Sequence, residues 1–286
     1  MSAIKVMKLV AAGAVVVVVS LGTARIASAG HGGSPQAIQQ AIDANSVDAI
    51  QAELERAEFL VCAACVDKIM PLIDHPDARV RQVAAWWLAR RAVSRTVQTQ
   101  MITRLSQPDS TLARNAANVL GELHSPSSIP ALSAALSNPV FSGEARAAMA
   151  RALATINRPA VVAPLTGALS DTDAQVKIGA LTALQSIAGL HDGTAVAPLV
   201  SDPDAGVRAE AATTLGMFRS TTGTDALVNA LRTDSSATVR KRAAWALGEM
   251  GASAAVAGSA LQTASTSDAS PLVRSLAAAA LTKLSQ

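Results

Sequence analysis

The chain has 286 residues, half of them apolar and only 2% aromatic, with no tyrosine and a formal charge of +3. So few aromatic rings leave no platforms on which a single strand of nucleic acid stacks, and so small a charge is not the basic footprint of a nucleic-acid binder.

Residues 1–29 read as a secretory signal. Lys5 and Lys8 precede an apolar run from Leu9 to Leu21, and Ala27-Ser28-Ala29 has the small-x-small spacing a signal peptidase accepts, with the cut between Ala29 and Gly30. The alternative is an uncleaved membrane anchor, although a spanning helix needs about 20 apolar residues. No cysteine lies near the cut, which argues against a lipoprotein. Cleavage removes Lys5, Lys8 and Arg25 and no acid, so the remainder is formally neutral, with 21 basic residues against 21 acidic ones.

Residues 30–60 read as an N-terminal helical cap. Within them, 35–58 form a short helix pair split near Asn45, with Asn45 or Ser46 starting the second helix. Its Gln, Asp and Glu content suits an end unit, which must close the core with a polar face.

Cys62 and Cys65 follow as a CxxC. Val66 stands where covalent haem attachment needs a histidine, and Asp67 and His75 are too few to complete the four ligands of a zinc site. A disulfide, two buried thiols, and a metal or redox pair stay open. An oxidising compartment favours the disulfide, which would pin the cap to the first repeat.

Residues 61–286 read as a repeat array. A helical pattern returns seven times, anchored at Val80, Leu112, Ala145, Val176, Val207, Val239 and Val273, at spacings of 31 to 34 residues. Three before each anchor stands an N-cap residue: Asp77, Asp109, Ser142, Asp173, Asp204, Ser236 or Ser270. Four after it comes Ala, or Met149 in the third copy, and eight after it Leu, from Leu88 to Leu281. These positions fall within about 80° on a helix, so they form one buried stripe. Ahead of each capped helix lies a shorter apolar segment, with Pro71, Pro130, Pro164 or Pro198 in four of them. The unit is therefore helix, tight turn, capped helix.

The stretches DARVRQVAAWWLARR, DAGVRAEAATTLGMF and SATVRKRAAWALGEM resemble HEAT repeats of the bacterial phycobilisome-lyase-like type. The resemblance implies an all-α fold, a right-handed α-solenoid of about seven HEAT-like helix pairs behind the N-terminal cap. It also implies that the basic residue after the anchor, from Arg81 to Arg274, joins an internal ladder of ion pairs. Asp77, Asp173 and Asp204 are then candidate partners as well as caps.

In such solenoids the second helices line the concave face, so the residues two and six after each anchor look into a groove. Candidate protein-binding residues there are Gln82, Trp86, Arg114, Asn118, Arg151, Thr182, Thr213, Lys241 and Trp245; tryptophan is enriched where binding energy concentrates. The plainer reading lays Trp86 and Trp245 against neighbouring helices as partial core, with Trp87 buried outright. The four histidines, His31, His75, His124 and His191, form no His-Glu pair of the kind that holds iron in the HEAT-family deoxyhypusine hydroxylase, and Glu122 and Glu249 read as solvent-facing. No nucleophile elbow, phosphate loop or carboxylate pair stands out, so no catalytic, metal or cofactor residue is assigned.

These readings lead to an exported, non-catalytic protein-binding scaffold or adaptor, periplasmic or extracellular. Its partner is a protein or peptide rather than nucleic acid, and it meets a membrane only if residues 1–29 are retained. The alternatives are a lyase or chaperone-like factor for a cofactor-bearing protein, which the resemblance implies, and a metal or redox role at the CxxC.

Overall fold

The computed structural model describes residues 33–91 and 93–285; the signal reading, with its cut between Ala29 and Gly30, lies outside them. Helices α1 (Pro35–Asp43) and α2 (Val47–Arg56) form the first pair. Ser34 and Ser46 cap them by accepting the N–H groups of Ala37 and Ala49, while Asn45 makes the turn with φ of 46°.

Next come α3 (Ala63–Ile69) with α4 (Ala78–Ala89), α5 (Ser94–Arg104) with α6 (Ser110–Glu122), α7 (Ile129–Leu136) with α8 (Gly143–Ile156), and α9 (Val162–Ala168) with α10 (Ala174–Gln185). In the fifth repeat the first element is only a 3₁₀ turn, Ala197–Ser201, before α11 (Ala205–Phe218). The array ends with α12 (Thr224–Thr233), α13 (Ala237–Met250), α14 (Gly258–Ser267) and α15 (Pro271–Leu284), and no strand occurs among the described residues. Proline explains two of the irregular first elements. Pro71 lies in the 3₁₀ turn Met70–Asp74 that ends α3, and Pro198 in the turn before α11, because a proline ring removes the N–H that an α-helix would use.

The stripe is buried nearly throughout. Anchors Val80, Ala145, Val176, Val207, Val239 and Val273, and the residues four after every anchor, are at most 1% exposed. Leu112 differs: it is half-buried, and Ala113 beside it takes the covered place. Leu281 is also half-buried, on the last helix of the stack. Asp77, Asp109, Ser142, Asp173 and Asp204 cap their helices through their side chains. Ser236 and Ser270 occupy the same position without a side-chain cap bond. There the carboxylates of Asp234 and Asp268 instead receive the N–H groups of Ser236 and Ser270, each at 2.8 Å.

Successive second helices meet along much of their length, whereas successive first helices touch at few points. Small residues allow the approach. A side chain at Gly216 would meet Cα of Ala246 at 2.8 Å, and one at Gly248 would meet Cβ of Ala280 at 2.9 Å. Both glycines stand nine after their anchors. At that position α4 has Ala89 and α10 has Gln185, and the pairs α4/α6 and α10/α11 meet less extensively than α11/α13 or α13/α15.

The ion-pair ladder uses acids other than the expected caps. Arg146 pairs with Asp171, Lys177 with Asp202, Arg208 with Asp234 and Arg240 with Asp268. Each acid stands five residues before the next anchor, in the turn of the following repeat. Asp173 and Asp204 serve only as caps, and Asp77 pairs with Arg79 rather than with the residue after an anchor. The turn acid of the next repeat also accepts an N–H of its own turn, and it is the carboxylate that stands within reach of the basic side chain.

Arg208 and Arg240 also donate to two carbonyls of their own turns, so each guanidinium ties two repeats together. Before Arg146 the ladder is incomplete. Arg81 reaches the carbonyls of His75 and Pro76, and the residue five before the second anchor is Gln107.

Candidate functional site

Trp87 is fully buried: its indole N–H donates to the Ala57 carbonyl at 3.1 Å, and Arg91 lies 3.9 Å over its ring. Arg91 donates to the same carbonyl at 2.9 Å. These contacts join the α1/α2 pair to the first repeat. Burial lowers the Arg91 pKa, followed in effect by the neighbouring charge of Arg90.

The cysteines do not make that junction. Cys62 and Cys65 are paired, but Cys62 is the N-cap of α3 and Cys65 stands in its first turn, where Cys62 Sγ accepts the Cys65 N–H at 3.1 Å. A bond within one turn cannot pin two elements.

Three depressions follow one another along the second helices. One of about 350 Å³ is lined by Gln51 and Glu55 of α2, Arg79, Gln82 and Trp86 of α4, and Glu122 of α6. The next, of about 330 Å³, shares Gln82 and Glu122 and adds Asn118, Arg151 and Thr155. The third, of about 280 Å³, shares Arg151 and adds Glu144, Gln175, Ile178 and Thr182. Shared residues place the three side by side as one row of depressions, a groove interrupted by side chains, from α2 to α10.

The structure therefore brings Gln82, Trp86, Asn118, Arg151 and Thr182 together. Arg114 stands beside them, donating to Glu144 at 2.7 Å. Thr213, Lys241 and Trp245 lie farther along the row, outside these depressions. Both Trp86 and Trp245 pack partly on the core. Arg90 sits 4.6 Å from the Trp86 ring, and the Trp245 ring occupies the space beside Gly216.

Sequence reasoning missed the residues one before and ten after the anchors: Arg79, Glu144, Gln175, Glu122 and Thr155. The signal was available. At about 100° per residue, positions −1, +2, +6 and +10 fall within about 80° of one another, so the outer two face the same side as the middle two. Gln51 and Glu55 come from α2, which lacks the repeat signature, so periodicity offered nothing there. Glu122 and Glu249 are both half-buried; Glu249 accepts a bond from Lys283 at 2.6 Å.

The groove holds both signs of charge, from Glu55, Glu122 and Glu144 to Arg79 and Arg151. A separate depression of about 510 Å³ lies among the turns of the last repeats, where Asp234, Arg240 and Asp268 belong to the ladder. Bonds from Arg240 hold the Asp268 carboxyl below the usual range against its burial. Burial pushes Asp202 and Asp234 upward, but bonds from Lys177 and Arg208 and from backbone N–H groups outweigh it and leave both lowered.

His75 accepts the Asp77 N–H at 3.0 Å, and the His124 ring is 2.9 Å from the Thr155 carbonyl. No cluster of three or more potential metal ligands occurs among the described residues. No helix among them is long and apolar enough to cross a membrane.

A sequence profile of HEAT repeats matches residues 66–143 and 193–282. No curated protein matches the chain. Among solved structures it is similar to YibA of E. coli, with 16% identity, a TM-score of 0.55, and coverage of 88% of this chain and 93% of that one. It is similar to an engineered protein with 22% identity, a TM-score of 0.50, and coverage of 89% and 82%. A third similarity is to the complex of CpcE and CpcF of phycocyanin lyase from Nostoc sp., with 21% identity, a TM-score of 0.42, and coverage of 79% and 96%. At such identities the first two likenesses speak to the fold.

Proposed function

The chain belongs to the HEAT-repeat family, and from that premise we propose that it is an exported, non-catalytic scaffold that holds a protein or peptide in the groove along its second helices. One observation carries the reading: Gln82, Trp86, Asn118, Arg151 and Thr182, from four successive repeats, line three adjoining depressions in one row. Buried ladder residues serve folding, whereas these side chains are open and differ from repeat to repeat, which suits recognition of an unlike partner. The alternating charges favour a polar, mixed-charge segment over nucleic acid.

Export rests on residues 1–29, and the paired cysteines fit an oxidising destination. N-terminal sequencing of the protein from its own cell gives Gly30 as the first residue if the segment is cleaved; Met1 or Ser2 as the first residue overturns cleavage.

The partner test is crosslinking and affinity capture with wild type and a Trp86→Ala, Arg151→Glu variant. Loss of a stoichiometric partner from a variant with unchanged circular dichroism supports the groove. Equal recovery by both proteins overturns it.

A further inference from the structure

The Cys62–Cys65 pair has features that a structural staple does not need. Its loop spans one helical turn, and a disulfide restricts the unfolded chain least when its loop is short. Trp87 and Arg91, not the cysteines, join the neighbouring elements.

The two sulfur-bearing residues are also unequally placed. Cys65 is 2% exposed, whereas Cys62 is half-buried and is flanked by exposed Ala63 and Ala64. Ahead of it, Phe59 and Val61 are 88% and 96% exposed, in a segment whose other large apolar residue, Leu60, packs on the core. Apolar side chains left that open beside a half-buried cysteine make a rim on which an extended polypeptide can rest.

We infer that Cys62 is a thiol–disulfide exchange site for cysteine-bearing, extended polypeptides that rest on Phe59 and Val61. A substrate thiolate attacks Cys62 Sγ, the Cys62–Cys65 bond breaks, and Cys65 leaves as a thiolate and takes a proton. The result is a mixed disulfide between Cys62 and the substrate. A second substrate thiolate then attacks the substrate's own sulfur and expels Cys62. The substrate loses two electrons and gains a disulfide, while Cys62 and Cys65 become the reduced pair. The bond that Cys62 Sγ accepts from the Cys65 N–H stabilises Cys62 as the leaving thiolate in that last step.

This inference does not rest on the groove, which lies along other helices. The test mixes the full oxidised protein with an unstructured reduced peptide bearing two cysteines among apolar residues, and follows peptide oxidation by mass spectrometry. The comparison is an oxidised Cys-Ala-Ala-Cys tetrapeptide at the same concentration. Faster oxidation by the protein, with one peptide disulfide formed per pair consumed, supports exchange at this site; a rate no greater than that of the tetrapeptide overturns it.

A Phe59→Ser, Val61→Ser variant keeps both cysteines and separates docking from chemistry. It is expected to oxidise the apolar peptide roughly tenfold more slowly while reacting with dithiothreitol as wild type does. Equal peptide rates overturn the apolar rim. Cys65→Ser, given a one-cysteine version of the peptide as an activated mixed disulfide, is expected to hold it on Cys62; failure to form that adduct overturns Cys62 as the sulfur that carries the substrate.

Discussion

Among single residues, the basic side chain after the anchor shows why arginine and lysine differ in this fold. Arg240 donates to both oxygens of Asp268 and to the carbonyls of Asp234 and Ser235, whereas Lys177 is bonded to Asp202 alone. Replacing Arg240 by Ala leaves a nearly buried carboxylate and two turn carbonyls short of a donor, and is expected to cost about 2–3 kcal/mol in urea unfolding, somewhat below a fully buried pair. Arg240→Lys keeps the charge but not the fork, so its loss is smaller.

The lowered pKa values of Asp202, Asp234 and Asp268 fix the sign of the pH dependence. Their stabilisation is full above the unfolded value of about 3.9 and is lost as pH falls through the lower folded values. Urea midpoints measured against pH should fall in that acid range. Asp268→Asn starts from a lower midpoint, with a shallower acid limb.

Between elements, small residues decide how closely the second helices pack. Gly248 lies inside α13, where alanine would gain helix propensity, yet its new Cβ would stand 2.9 Å from Cβ of Ala280. Gly248→Ala is therefore expected to lower stability by about 1–3 kcal/mol through overpacking, despite the local gain. Gly167 in α9 has nothing within 4 Å of the same position. Gly167→Ala should raise stability by about 0.5–1 kcal/mol. Thermal midpoints check both; a stabilised Gly248→Ala would mean that the close approach imposes no constraint.

The whole described stack is not uniform along its length. At the α10/α11 junction the first element shrinks to Ala197–Ser201, and Gln185 bonds Glu210 and Thr214 where α13 and α15 place glycine against alanine. A quasi-one-dimensional protein opens where neighbouring repeats share little surface, and a long exposed turn at such a junction is the first to be cut. Limited proteolysis is expected to cut first within 188–195, where Gly189, His191 and Asp192 are exposed. First cleavage in the α12/α13 turn instead would move the weak junction away from α10/α11.

The anchor, the +4 alanine and the +8 leucine were legible because a helical period and an N-cap act within one repeat, and seven copies make the signal plain. Leu112 departed because Ala113 beside it fits the buried place. The ladder was foreseen in its basic half only: its acids lie 25 to 28 residues away in sequence, and stacking alone brings them within reach. The groove was half legible, since Gln82 and Trp86 follow the helical period while Gln51 and Glu55 arrive from a pair without the repeat signature. The sequence by itself determined an all-helical repeat array and its buried stripe, because those follow from local periodicity. Tertiary structure alone decided which acid each arginine meets and which open side chains line neighbouring depressions, because the offset between neighbouring helices sets both.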